Sequence, residues 1–388
     1  MSSETTLKQS RRSKIAPFLV MEVVAAANAR AAAGRDVLHL EVGEPGAGTP
    51  APALAAAAAA GPSARQCYTE ALGLPQLRRR IAQHYAETYG VEVDPGRIAV
   101  TSGASGAFVL AFLAMFDAGD RVVVAEPGYP AYRNILEALD IEAVPLPVGP
   151  ETRFQPTAAA LDTLEGPLHG LIVASPSNPT GSLLPRSELQ RLVTTCRARG
   201  MRLISDEIYH GITYETPADC ALSLSRDAIV INSFSKYFCM TGWRLGWMVL
   251  PEDLVPAVTR LAQNLFIAPP TISQYAAIGA FEAKAELDGL VHGYRRNRDR
   301  LRAALASVGI DRIAPPDGAF YLYADVGERT DDSVAWCRRL LDETGVALTP
   351  GVDFDPVRGR HFVRLSFAGT AADVDAAADR LVAWLRKT

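Results

Sequence analysis

Along the middle of the chain, hydrophobic residues gather in short runs rich in valine and isoleucine. Each run is followed by a polar cluster and then by a longer amphipathic stretch. The runs are RIAV (97–100), RVVVA (121–125), GLIVAS (170–175), RLIS (202–205), AIVIN (228–232) and RLGWMVL (244–250). Near-continuous apolar runs of this length suit strands that are covered on both faces. The stretches between them, such as ELQRLVTTCRARG ending at Gly200, space their apolar residues for a helix and stop at a glycine. Strands that alternate with helices predict an α/β fold, a doubly wound and mostly parallel sheet.

Toward the C-terminus the rhythm changes. A long charged helical stretch, YRRNRDRLRAALASVG, precedes two strand-like runs, AFYLYADV and HFVRLSF. This predicts a smaller α+β domain that the N-terminal arm joins: a large domain over 46–287, and a small one from 1–45 together with 288–388. The arginines between 295 and 302 read as a solvated helix face or a subunit contact. The run ALAAAAAAGP (53–62) reads as a plain surface helix, because alanine is the best helix former and Gly61-Pro62 is a stop.

Composition narrows the class. A chain of 388 residues with 48% hydrophobic content can bury a large core. Its net charge of −4 gives no basic field for nucleic acid. No segment approaches the roughly 18 uninterrupted apolar residues that span a bilayer. The N-terminal MSSETTLKQSRRSKIAPF has charges, Glu4 among them, but no apolar centre, so it is expected to be a basic arm rather than a secretory signal. The five cysteines show no C-x-x-C pairing, and we expect reduced thiols in a cytoplasm. The six histidines form no metal-binding spacing, so no metal site is expected. A small-molecule partner is the default.

The polar clusters carry the candidate chemistry. TSGASGA follows the first run, EPGYP the second, SPSNPTG the third, SDEIY the fourth and NSFSK the fifth. In open α/β sheets the carboxyl ends of the strands border the ligand crevice, so the five clusters converge on one pocket. Small residues before a helix offer backbone N–H groups to an anion, although a simple turn and helix cap would look the same. Ser233, Ser235 and Arg244 add hydroxyls and a fixed cation around that anion. Alone, Asp206 reads first as a helix N-cap, and otherwise as a carboxylate facing a protonated ring nitrogen. Tyr209 and Asn178 can donate to a ring oxygen. Tyr129 can stack on a flat ring or simply pack in the core.

The ordered set YTEALGLPQLR, TSGASGA, EPGYPAY, SPSNPTG, SDEIY, SFSKYFCMTGWRLGW and HFVRLSF resembles the class I/II aminotransferases, pyridoxal-phosphate enzymes of fold type I. The likeness extends over nearly the whole chain, and SNPTG and SFSK…GWRLGW are its specific parts. The resemblance implies that Lys236 bonds covalently to the cofactor's aldehyde and later moves the substrate's proton. Asp206 would keep the ring nitrogen protonated, Tyr209 and Asn178 would bond the ring oxygen, and Tyr129 would stack on the ring. Gly103, Ala104, Ser105, Ser233, Ser235 and Arg244 would cradle the phosphate. Arg364, with Gly43 and Asn178, would bind the substrate carboxylate. Tyr68 would reach the phosphate of the other subunit, which implies a homodimer with shared sites.

Carbon–sulfur β-lyases share these residues and differ in the fate of the carbanion left when the proton departs. The effector domain of a transcription regulator would need a DNA-binding module, and none is expected in front of this chain. One related subgroup carries a lysine in the glycine-rich loop for a distal carboxylate; the matching position here is Ser105. Neutral donors such as alanine or larger apolar or aromatic amino acids are therefore expected, with pyruvate or 2-oxoglutarate as acceptor. A cation from elsewhere, such as Arg30 or the 295–302 arginines, would undo that expectation.

Overall fold

The structure, a computed structural model, describes residues 7–63 and 67–387, so the first six residues of the expected basic arm, Glu4 among them, lie outside it. Among the described residues twelve strands form three sheets. A short β1 (Leu38–His39) belongs to the smaller lobe. The principal sheet contains β2 (Ile98–Thr101), β3 (Arg121–Glu126), β4 (Glu142–Pro147), β5 (Gly170–Ala174), β6 (Arg202–Asp206), β7 (Ile229–Ser233) and β8 (Gly246–Val249). Their order is β2-β8-β7-β6-β5-β3-β4. Only β8 runs against the others. All six predicted runs are strands, and the fold is the expected mostly parallel α/β sheet.

The sheet is covered on both faces, which is why its strands are apolar throughout. Val100, Val123, Leu171, Leu203 and Val230 enter one core, and their neighbours Ala99, Val122, Ile172, Ile204 and Ile229 enter the other. Successive side chains of a strand point to opposite faces, so each run feeds both cores. Sequence inspection misses β4, whose Pro145 and Pro147 argue against a strand. It is an edge strand paired only with β3, where a missing N–H breaks no ladder.

The alanine-rich helix departs from expectation in two ways. It spans Ala51–Ser63, running through Gly61 and Pro62 rather than stopping there. Nor is it a plain surface helix, because Ala53, Ala57 and Ala60 are buried. It packs on the helix Thr271–Ala280 so tightly that a Cβ on Gly279 would lie 2.4 Å from the Pro52 carbonyl oxygen. The small residues therefore serve close helix contact.

In the C-terminal part, β9 (Tyr321–Asp325), β11 (Thr349–Pro350) and β12 (Phe362–Ser366) form an antiparallel sheet ordered β11-β12-β9, while β1 pairs with β10 (Val346–Ala347). The expected boundary at 287/288 falls inside one continuous helix, Lys284–Ala306. Its Leu287 joins a core of the large sheet, whereas Tyr294 and Leu301 join the core of the small one. Its arginines pair with surface acids, Arg295 with Glu215 and Arg300 with Asp379. Arg298 is the exception to a solvated face: it is buried, with its guanidinium 4.5 Å above the Tyr214 ring.

Candidate active site

A cleft of about 1000 Å³, counting the part open to solvent, lies at the carboxyl ends of the parallel strands. Gly43, Ala104, Ser105, Tyr129, Asn178, Asp206, Tyr209, Ser233, Ser235, Lys236, Arg244 and Arg364 line it. Gly103 stands behind Arg244. Tyr68 does not line the cleft; it is 78% exposed.

Asp206 ends β6 and is buried. Its Oδ2 accepts from the Tyr132 hydroxyl and its Oδ1 from the Ile208 amide at 3.0 Å. Burial pushes its carboxyl up to about 6, against the pull of these bonds. No ion pair to it is found among the described residues. Lys236 follows the β7 end, where its amine donates to the Gly43 carbonyl at 2.5 Å. Burial, then the Arg364 guanidinium, pushes this amine down to about 8, so roughly a tenth of it is neutral at pH 7, far more than of an ordinary lysine. The Tyr209 hydroxyl lies 2.7 Å from that of Tyr321.

The end of the cleft lined by Ser233, Ser235 and Arg244 forms where helix α4 (Gly103–Met115, the fourth α-helix) begins. Its N-cap, Ser102, makes no side-chain cap, so first-turn N–H groups remain for a ligand. Gly103 has φ +70°, and a Cβ there would lie 2.6 Å from Arg244 Nη2. Ser233 Oγ donates to Ser235 Oγ at 3.0 Å. Arg244 donates to the Thr241 carbonyl at 3.0 Å.

At the opposite end Arg364, on β12, donates from Nη1 to Asn178 Oδ1 at 2.9 Å and from Nη2 to the Glu41 carbonyl. Accepting from Arg364 fixes the Asn178 amide with its NH2 end available as a donor. The guanidinium sits 4.4 Å from the Tyr321 ring, and its buried Nε–H has no partner among the described residues. Gly43 is required for this close approach, since a Cβ there would fall 1.8 Å from the Tyr321 hydroxyl oxygen.

Phe18, Val20, Met21, Phe108, Ile135 and Ile208 supply an apolar wall, and the cations lining the cleft are Lys236, Arg244 and Arg364. Arg30 is committed to the Asp36 and Asp342 carbonyls. Neither it nor the 295–302 arginines line the cleft. Sequence inspection misses Tyr132, one helical turn beyond Tyr129 in the quoted EPGYPAY, and Tyr321, in AFYLYADV. A tyrosine in an amphipathic helix or a strand looks like core packing until its hydroxyl partner is known.

These residues fit pyridoxal 5′-phosphate. Hydroxyls, a guanidinium and a helix N-terminus suit its phosphate. A buried carboxylate without an ion pair among the described residues suits a protonated ring nitrogen, and an amine with a depressed pKa suits its aldehyde.

Known proteins agree. The family described as Aminotransferase class I and II matches residues 35–381. The chain is 52% identical over 378 residues to a valine–pyruvate aminotransferase of Mycobacterium tuberculosis, covering 96% of this chain and 97% of that one. It is 35% identical to an aspartate aminotransferase of Thermotoga maritima, covering 96% and 98%. The crystal structure of an aminotransferase from Mycobacterium tuberculosis superposes with a TM-score of 0.97 at 51% identity, covering 99% of this chain and all of that one.

Proposed function

The chain belongs to the class I and II aminotransferases, and from that premise we propose what each residue of its cleft does. The enzyme moves an amino group between an amino acid and a 2-oxo acid, with pyridoxal 5′-phosphate as cofactor. When bound, the cofactor supplies a reactive aldehyde and a ring that accepts electrons from the substrate carbon. Lys236 holds it covalently and, once released, takes the proton from the substrate Cα. Asp206 accepts a hydrogen bond from the protonated ring nitrogen. Tyr209 and Asn178 donate to the ring oxygen, and Tyr129 covers the ring face. The first turn of α4 (Gly103, Ala104, Ser105), with Ser233, Ser235 and Arg244, holds the phosphate. Arg364, whose Nε–H lacks a partner among the described residues, binds the substrate carboxylate beside Gly43 and Asn178.

The amino donor is a neutral, apolar L-amino acid and pyruvate is the preferred acceptor. The carrying observation is the cleft wall: Ser105 stands where a dicarboxylate-binding lysine would help, and the wall formed by Phe18, Val20, Met21, Phe108, Ile135 and Ile208 is apolar. An unpaired second carboxylate in that space would lose several kcal/mol of solvation. Similarity to a valine–pyruvate aminotransferase supports the same choice. A donor panel assayed with pyruvate and with 2-oxoglutarate tests it, with valine or another apolar donor expected to lead. An aspartate kcat/KM a hundredfold above every neutral donor, equivalent to about 2.7 kcal/mol, overturns it.

The working enzyme is a homodimer, and Tyr68 completes the partner's phosphate site. Tyr68, Leu265, Phe266 and Ile267 are exposed, and Thr271 Oγ1 donates to the Cys67 carbonyl, which brings the two segments together. An apolar face of this kind suits a second copy of the chain. We retain the domain division 46–287 against 1–45 with 288–388, on the support of the separate cores. A cytoplasmic location accords with buried thiols at Cys196, Cys220, Cys239 and Cys337 and with the lack, among the described residues, of a helix long and apolar enough to cross a membrane.

A further inference from the structure

Helix α1 (Leu19–Ala32) carries part of the apolar wall in and just before its first turn: Phe18, Val20 and Met21. Its N-cap residue is Phe18, which cannot cap, so the first N–H groups need a partner from elsewhere. That partner is the carboxylate of Asp353, 2% exposed, whose Oδ1 accepts from the Leu19 amide at 3.1 Å and whose Oδ2 accepts from the Val20 amide at 3.2 Å. The same short segment touches two further walls. The Asp353 carbonyl accepts from Arg133 at 2.8 Å, and the Phe354 carbonyl accepts from the Gly128 amide, next to Tyr129, at 3.1 Å. The Phe354 ring lies 4.8 Å from the Arg364 guanidinium.

We propose that Asp353 is a positioning residue for substrate selection: by holding the first turn of α1, it sets the apolar wall against which the donor's side chain packs. The proposal rests on the apolar-donor reading above. The rest of α1 is anchored independently, since Ala27 packs with Leu341 and Ala347 and Arg30 bonds the Asp342 carbonyl. Loss of the carboxylate should therefore loosen the first turn without releasing the helix. Met21, 55% exposed at the cleft, is the residue whose cover a large donor side chain would complete. A small donor such as alanine reaches this wall less and should depend on it less.

The test uses the holoenzyme with Asp353→Ala and the isosteric Asp353→Asn, which keeps an acceptor but no charge. For Asp353→Ala the KM for valine should rise about tenfold, with kcat and the alanine KM changing less than about threefold and the absorbance of bound cofactor unchanged. Hydrogen exchange followed by mass spectrometry should show faster exchange in peptides from 15–32, with Asp353→Asn closer to wild type. Equal losses for valine and alanine, or unchanged exchange in α1 in both variants, overturn the proposal. If the wild type prefers aspartate, the apolar-donor reading has failed on its own, while exchange in α1 still reports whether Asp353 holds the helix.

Discussion

A carboxylate buried without an ion pair among the described residues makes Asp206 a liability to the cofactor-free protein, and the sign of that liability is testable. Its folded pKa, about 6, stands above the ordinary 3.8, so between these values the folded chain holds a proton that the unfolded chain has released. Stability should then fall as pH rises from about 4 to about 6 and stay lower beyond, by at most roughly 3 kcal/mol. Lys236 gives the opposite slope. Its folded pKa, about 8, lies below the ordinary 10.5, so its unfavourable contribution is relieved as pH rises between them. Buried Glu207, pushed up to about 7, and His210, pushed down to about 3, titrate in the same acid range, so each slope is read as the difference between the urea midpoints of the cofactor-free wild type and variant: Asp206→Asn for the acid one and Lys236→Met for the alkaline one. Differences that do not change with pH would assign the titrations to other groups. Taken alone, Asp206 reads as a helix cap and Arg364 as a surface ion pair; Lys236, Asp206 and Arg364 are legible through the motifs that carry the family resemblance, SFSK, SDEIY and HFVRLSF. Tyr132 and Tyr321 are not, because a phenol is at home in a core and only the fold reveals which oxygen it meets.

At the scale of elements, function depends on how strands hand over to helices. The turn from β2 into α4 needs a left-handed residue, and Gly103 supplies it while leaving room for Arg244. Gly103→Ala adds about 1 to 2 kcal/mol of backbone strain and pushes a methyl into the guanidinium. The buried face of α4 should keep the fold, but the affinity for pyridoxal 5′-phosphate should drop tenfold or more in an absorbance titration. Unchanged affinity would argue against a phosphate cradle at this turn. The strands of this sheet are readable because burial on both faces writes uninterrupted Val/Ile runs. β4 is not, since an edge position tolerates the prolines that usually exclude a strand. The 51–63 helix is legible in type but not in place, because an alanine run is equally compatible with exposure and with very close packing, and only Gly279 opposite decides between them.

At the scale of the whole molecule, the cleft is drawn from both lobes, with Arg364 on the small sheet facing Lys236 and Asp206 on the large one, while Tyr68 lies exposed outside it. If Tyr68 completes the phosphate site of the partner, then Lys236 and Tyr68 of one chain serve different sites. Lys236→Ala alone should be inactive, and Tyr68→Ala alone should be strongly impaired through weaker phosphate binding. In a hybrid dimer of the two, one site receives both defects and the other receives neither. Random reassortment makes half of all dimers hybrids, so an equimolar mixture should regain about a quarter of wild-type activity. A tyrosine acting within its own chain gives the reverse outcome, because every site in the mixture then lacks either Lys236 or Tyr68. The measurement is activity after co-expression of the two variants with different affinity tags, with the hybrid isolated by tandem purification and its dimeric mass checked by sedimentation. An isolated hybrid no more active than the average of its parents, or a fully active Tyr68→Ala homodimer, would remove Tyr68 from the shared site.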